Sequence, residues 1–203
     1  MRVTILDYGM GNLHSLGKAL ATADAAVTIV EDPRDSLDTD VLLLPGVGAF
    51  TGAAECMAPV QAPLRQALEN GLPCLAICLG MQLLFDSSEE GAGTGVGLFP
   101  GRVQRVNAAI VPHMGWNTLD DVRDDLVTRS GLSTGYYAHS FVCRPTVPDV
   151  VTAWTTADSD RFPAVVRRYN TIGVQFHPEK SSGPGVRFIH NALAEFKRAS
   201  RAR

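Results

Sequence analysis

The chain reads as an α/β protein: a central, mostly parallel β-sheet with helices on both faces, and additional mixed or antiparallel strands in its second half. Two observations lead there. Through the first half, short apolar runs alternate with segments whose apolar residues recur at helical spacing, the pattern of a parallel sheet wound by crossover helices. The apolar runs are also nearly continuous, which suits strands buried on both faces.

Val3–Leu6 is the first predicted strand, and Leu13–Ala23 is a helix with Leu13, Leu16 and Leu20 on one side. Val27–Val30 and Val41–Leu44 follow as strands, the second stopped by Pro45-Gly46. Pro63–Asn70 is helical and ends at Gly71, a C-terminal breaker. Cys74–Ile77 is a fourth strand and Leu79–Phe85 the helix after it. Gly91–Gly101, rich in glycine, is expected to be a mobile surface connection. Beyond it, strands are expected near Val103–Val106, Val111–Met114, Ala138–Val142, Val150–Thr155, Ala164–Arg168 and Thr171–Gln175, with a hairpin connection across Arg168–Thr171. Gly185–Arg198 closes the chain as a helix, apolar at Phe188, Ile189, Leu193 and Phe196. With no repeat and no linker, residues 1–203 are expected to form one domain.

The composition narrows the function. The 203 residues are 45% hydrophobic and 19% charged, enough to bury a full core and too apolar for a disordered chain. A formal charge of -3 leaves no basic footprint for nucleic acid or an anionic membrane. No run is apolar for long enough to span a bilayer. MRVTILDYG enters directly into a core strand and does not read as a signal peptide. Four cysteines without a CxxC pair suit a reducing cytoplasm. The basic tail, Lys197, Arg198, Arg201 and Arg203, reads as a solvated helix end.

The sharpest local feature is Ala76-Ile77-Cys78-Leu79-Gly80-Met81-Gln82. A strand runs into a cysteine and a helix starts directly after it, the pattern of a nucleophile elbow. Gly80 lets the turn pack closely, and the helix N-terminus offers N–H groups and a positive dipole end to an anion. Taken alone, Cys78 reads equally well as a small buried hydrophobe. Gly173-Val174-Gln175-Phe176-His177-Pro178-Glu179, which taken alone reads more readily as a capped strand end with a surface His and Glu, adds the missing parts when set beside Cys78. Residues two apart on an extended chain share a side, so Glu179 is placed to hold His177 in one tautomer while its other nitrogen faces a nucleophile. Cysteine, base and orienting carboxylate make the triad of acyl-transfer enzymes. A metal site is not expected, because His-x-Glu has no third ligand at a fixed spacing. No cofactor is expected either. Pro45-Gly46-Val47-Gly48 ends the third strand at the same sheet edge as Cys78. N–H groups of Gly46, Val47 and Gly48, with that of Leu79, are candidates for an oxyanion hole. A plain glycine turn is the alternative.

Asp7-Tyr8-Gly9-Met10-Gly11-Asn12 mimics a dinucleotide fingerprint, with Glu31 and Asp32 about twenty residues on. The third glycine falls on His14, however, where close helix–strand packing tolerates no side chain. Dinucleotide binding is therefore not expected.

Together these residues resemble the triad-type, class I glutamine amidotransferases over nearly the whole chain. The elbow and His-Pro-Glu are shared across that superfamily. DYGMGNL at 7–13, PGVGAF at 45–50, GLFPG at 97–101, HMGWN at 113–117, YYAHSF at 136–141 and HPEKS at 177–181 narrow the resemblance to the glutaminases of histidine biosynthesis. His14 departs from an arginine common in that group, and Leu119–Thr134 matches no pattern. The resemblance implies a flavodoxin-like, three-layer fold. It implies hydrolysis of L-glutamine to glutamate and ammonia, and transfer of the ammonia to a (β/α)8-barrel cyclase or synthase partner. It puts the amino-acid head of glutamine near Gly48, Gln82, His139, Ser140 and Phe141, and puts Asn12, Trp116 and Lys180 on the partner-facing surface. A glutaminase serving vitamin B6, anthranilate or purine synthesis, a cysteine peptidase and a non-catalytic module of the same fold remain as alternatives.

Overall fold

The computed structural model describes residues 1–9, 13–21, 23, 25–46 and 48–201. In chain order the elements are β1 (Arg2–Leu6), α1 (His14–Ala21), β2 (Ala26–Val30), β3 (Val41–Leu44), α2 (Phe50–Met57), α3 (Gln61–Glu69), β4 (Cys74–Ile77) and α4 (Leu79–Leu83). There follow β5 (Ser87–Ser88), β6 (Gly101–Arg105), β7 (His113–Thr118), α5 (Asp125–Ser130), β8 (Thr134–His139) and β9 (Phe141–Pro145). The chain ends with β10 (Val151–Ala157), β11 (Asp160–Arg168), β12 (Thr171–Val174) and α6 (Ser182–Arg201).

Seven strands form the central sheet in the order β10-β11-β12-β4-β3-β1-β2. The run from β12 to β2 is parallel, while β10 and β11 are antiparallel at one edge. A small β5-β6-β9 sheet and a β7-β8 ribbon sit beside it. Strand alternation sorts the buried residues into two layers. Val41, Leu43, Leu75 and Ile77 face one core with Leu20 of α1, Leu126 of α5 and Phe188 of α6. Leu42, Leu44, Cys74 and Ala76 face the other with Phe50 of α2, Leu64 of α3 and Met81 of α4. A sheet buried on both faces needs apolar residues at every position, which is why β3 and β4 read as unbroken runs. β3, β4 and β12 are neighbours in parallel, with Leu44 opposite Ala76 and Val174 opposite Ile77. Their carboxyl ends therefore deliver Pro45–Gly48, Cys78 and the segment after Val174 to one place.

Several expectations need correction. The predicted strand at Ala138–Val142 is two strands, broken at Ser140, because β8 pairs with β7 and β9 with β6. The strand placed at Val111–Met114 begins instead at His113 and runs to Thr118. Gly91–Gly101 is largely without regular structure, and only its first half, residues 91–95, lies at the surface: Val96, Leu98 and Phe99 are buried in the core, and Phe99 stacks on Phe85. Helix α2 was not expected, since its residues FTGAAECM are small and carry a glycine.

Helix α5, within the unmatched stretch Leu119–Thr134, has clear end signals. The Asp124 carboxylate accepts the N–H of Leu126 at 2.9 Å, and Gly131 ends the helix in the left-handed conformation. Asp124 is buried, and its carboxylate also takes Arg167 at 3.4 Å and the Thr152 hydroxyl at 3.2 Å. Arg167 in turn pairs with Glu195 of α6, so one carboxylate ties α5 to the sheet and, through Arg167, to the last helix. Asp124→Ala removes the cap and leaves a guanidinium half-paired, an expected cost of about 2–4 kcal/mol. Urea unfolding of the purified chain measures it, and a midpoint unchanged from the parent would contradict the role given to this carboxylate.

Candidate active site

Cys78 stands between β4 and α4 with φ 46° and ψ -103°, a left-handed conformation that a non-glycine residue rarely adopts. Such a residue costs about 1–3 kcal/mol and persists where its surroundings over-determine it. Here they do. The N–H of Cys78 donates to the Val174 carbonyl at 2.7 Å and that of Gly80 to the Pro45 carbonyl at 3.2 Å. Leu75, Ile77, Leu79 and Met81, on either side, are buried. Each such side chain contributes roughly 1.5–3 kcal/mol on burial, so the flanking core outweighs the strain. A Cβ at Gly80 would lie 2.3 Å from the Leu44 carbonyl oxygen, so only glycine closes the turn.

His177 and Glu179 meet Cys78 from β12. Nδ1 of His177 and Oε1 of Glu179 are 2.8 Å apart. The sequence reading expected this contact from strand alternation. The contact holds, but β12 ends at Val174, and Glu179 lies in a short 3-10 turn, Pro178–Lys180, that follows an extended His177. The turn is pinned by Ser181, whose hydroxyl donates to the His177 carbonyl at 2.7 Å and accepts the N–H of Tyr136 at 2.9 Å. Burial pushes the pKa of His177 down. Hydrogen bonds and negative charge from Cys78 and Glu179 outweigh that effect and raise it to about 10. The imidazole thus keeps a proton beside the sulfur. The backbone of Gly46 lies against both groups: a Cβ there would sit 2.9 Å from Cys78 Cβ and 2.9 Å from His177 Cε1.

A cavity of about 360 Å³ opens above Cys78, a size suited to a small molecule. Gly46, Gly48, Leu79 and Gln82 line it, as do His139, Ser140 and Phe141. All the candidate oxyanion and glutamine-binding residues among the described ones therefore share one cavity; Val47 lies outside the described residues. Because Cys78 and Gly80 spend their N–H groups on Val174 and Pro45, the Leu79 N–H between them is the donor this turn offers a ligand. His139 lines the cavity with its ring held among aromatic neighbours. Its ring packs on Phe162 and Tyr137 and meets Nδ1 of His113 through Nε2 at 3.1 Å. Burial, then the neighbouring His113, pushes its pKa down to about 3, so the ring is neutral.

Trp116 is 54% exposed on β7, packs edge-on against Tyr136, and lines a second cavity that shares Pro112 and Met114 with the first. Lys180 is exposed at the end of the turn that carries Glu179. Asn12 lies outside the described residues. Two residues received no role from the sequence. Glu90 lines the cavity and accepts the Phe50 N–H at 3.1 Å. Gln175 is fully buried and donates from Nε2 to Cys78 Sγ at 3.4 Å. Gln175 is a polar residue inside an otherwise apolar strand end, the one signal that marked it. Among the described residues no group of acidic, cysteine and histidine side chains is arranged to hold a metal ion.

A family profile described as glutamine amidotransferase class-I matches residues 4–196. The chain belongs to the class-I glutamine amidotransferases. Curated relatives of this family member include the imidazole glycerol phosphate synthase subunit HisH of Halobacterium salinarum, 43% identical over 93% of this chain and 91% of that protein. The protein of the same description from Gloeothece citriformis is 38% identical over 96% of each chain. In structure, a glutamine amidotransferase crystal structure covers 96% of this chain and 97% of its own, with TM-score 0.72 and 19% identity. The PurLQS structure from Thermotoga maritima covers 96% of this chain and 98% of its own, with TM-score 0.70 and 21% identity. Those two likenesses establish the three-layer amidotransferase fold.

The pKa of His177 in this amidotransferase is expected to fall by about one unit or more in Glu179→Gln, because the substitution keeps the shape and removes the negative charge. An NMR titration of the imidazole reads this directly. An unshifted titration would mean that Glu179 orients the ring without stabilising its charge.

Proposed function

We propose that this chain hydrolyses L-glutamine to glutamate and ammonia at Cys78, as the glutaminase subunit of an imidazole glycerol phosphate synthase in histidine biosynthesis. The observation that carries the chemistry is the Cys78–His177–Glu179 arrangement, with Cys78 lining a small cavity. The names of the relatives carry the pathway. Residues 1–203 act as a single domain, in the cytoplasm, with all four cysteines free. The chemistry needs no cofactor.

Sγ of Cys78 attacks the side-chain amide carbon of glutamine, and the carbonyl oxygen takes up the displaced electron pair. The N–H groups of Leu79 and of the Gly46–Gly48 loop, Val47 included, stabilise that oxyanion; one such donor is worth about 3 kcal/mol. His177 gives its proton to the departing nitrogen, which leaves as ammonia. Now neutral, His177 takes a proton from water, whose oxygen attacks the thioester carbon. The carbon–sulfur bond breaks, glutamate leaves and the Cys78–His177 pair is restored. Glu179 holds the ring and balances its charge throughout. In the cavity, the Glu90 carboxylate suits the α-ammonium of glutamine, and Gly48, Gln82, Ser140 and Phe141 bound the rest of its head, with His139 behind them.

The ammonia passes to a (β/α)8-barrel cyclase or synthase, which forms imidazole glycerol phosphate and an aminoimidazole carboxamide ribotide. Ile110, Met114 and Trp116 are 80, 63 and 54% exposed and line the second cavity, which shares Met114 with the first, so they offer large apolar side chains suited to a partner surface. Asn12 and Lys180 are the further residues proposed to meet the partner.

Cys78→Ala is expected to abolish glutamine-dependent synthesis by the reconstituted pair and to leave ammonium-dependent synthesis intact. Glutamine turnover surviving in this variant would sink the assignment of the nucleophile. Separately, Trp116→Ala should weaken the pairing about tenfold or more, as loss of a central aromatic anchor does. Calorimetric titration with the barrel partner measures this, and an unchanged affinity would move the interface elsewhere.

A further inference from the structure

The amide side chains behind the nucleophile form a chain with a fixed direction. Gln82 Nε2 donates to the Phe141 backbone carbonyl at 2.9 Å and to Gln175 Oε1 at 3.4 Å. Gln175 Nε2 then donates to Cys78 Sγ at 3.4 Å. Gln175 is completely buried, so water does not substitute for its partners, while Gln82, also buried, borders the cavity.

The direction follows from the anchor. A backbone carbonyl only accepts, so Gln82 must turn its NH2 group toward Phe141. The second hydrogen of that NH2 points to Gln175, which must answer with its oxygen. The NH2 of Gln175 is then left facing the sulfur. Turning Gln175 over would set two NH2 groups against each other, and turning both would set the Gln82 oxygen against the Phe141 carbonyl. Each alternative buries mismatched polar groups, at a cost of about 1–3 kcal/mol apiece.

We infer that Gln175 is a further residue of the catalytic site, fixed by Phe141 and Gln82 as a hydrogen-bond donor to Cys78 Sγ. Its purpose rests on the glutaminase reading above; its geometry does not. A donor on this side makes Sγ an acceptor, which favours the anionic sulfur with the shared proton on His177. The same chain spends both hydrogens of Gln82, so a ligand in the cavity meets the Gln82 oxygen, an acceptor suited to an ammonium group. The group that grips the substrate head and the group that holds the sulfur are thus set by one backbone carbonyl.

The test is the pH dependence of Cys78 alkylation by iodoacetamide, followed at the Cys78 peptide by mass spectrometry on the full chain. It needs neither glutamine nor partner. In Gln175→Met, similar in size but without a donor, half-maximal alkylation should move up by about one pH unit. With glutamine, kcat at neutral pH should fall by about tenfold and recover as the pH is raised, with KM changed far less. Gln82→Met, which releases Gln175 from its orientation, should shift the alkylation profile the same way. The double variant should shift it no further than Gln175→Met alone. If Gln175→Met does not fold, Gln175→Leu and Gln82→Met serve in its place. A parental alkylation profile in the Gln175 variant overturns the inference, whatever happens to turnover. Glutamine hydrolysis persisting in Cys78→Ala would instead overturn the glutaminase reading and leave the alkylation result standing.

Discussion

Three backbone segments meet at Cys78 more closely than side chains allow, and the site depends on that closeness. Gly80 passes under the Leu44 carbonyl where a Cβ would come within 2.3 Å. Gly46 rests on Cys78 and His177, where a Cβ would come within 2.9 Å of each. Both approaches exist because β3 and β4 are hydrogen-bonded neighbours that end together. The sheet thus does more than carry the nucleophile. Its register sets where the nucleophile, the base and the glycine loop stand relative to one another. The positive φ of Cys78 is the local cost of this arrangement. The apolar residues on either side of the turn outweigh it without any contribution from the site itself.

Around that frame the charges are few and directed. Glu179 holds His177 through one oxygen, while its Oε2 is buried without a hydrogen-bond partner. Cys78 and this poorly solvated carboxylate both favour a cation between them, and together they raise His177 despite its burial. His139 has the opposite surroundings. Phe162, Tyr137 and His113 enclose it, and burial holds it neutral. Two histidines near one cavity therefore sit in opposite charge states, and Cys78 with Glu179 decides which carries the proton.

The parallel core was legible because its physics is local. Strands buried on both faces must be apolar throughout, and β1, β3 and β4 are nearly so. Cys78 and the His177–Glu179 pair were legible because a turn and a short spacing bring them to view. What escaped depended on partners distant in sequence. Val96, Leu98 and Phe99 sit among glycines, and only the packing of Phe99 on Phe85 makes that segment core. The break at Ser140 comes from two strands choosing different sheets, which no local pattern records. The ends of α5 carry good caps, but only six residues stand between them, too few to show a helical period. Glu90 and Gln175 look like ordinary polar residues until the loop and strand that carry them are folded against the cavity.

The opposite fates of Gln175 and Glu90 separate two ways of building a site. Glu90 is on the wet side, and its single backbone contact leaves it available to a ligand. Gln175 is on the dry side, where every polar hydrogen must find an acceptor at once. A dry network gains its direction from whichever member has no choice, and here that member is the Phe141 carbonyl. Phe141 begins β9, directly after the chain leaves β8 at Ser140. The break between β8 and β9, a mere irregularity in a list of strands, is thus what aims a carbonyl at Gln82 and, through two amides, a donor at the nucleophile.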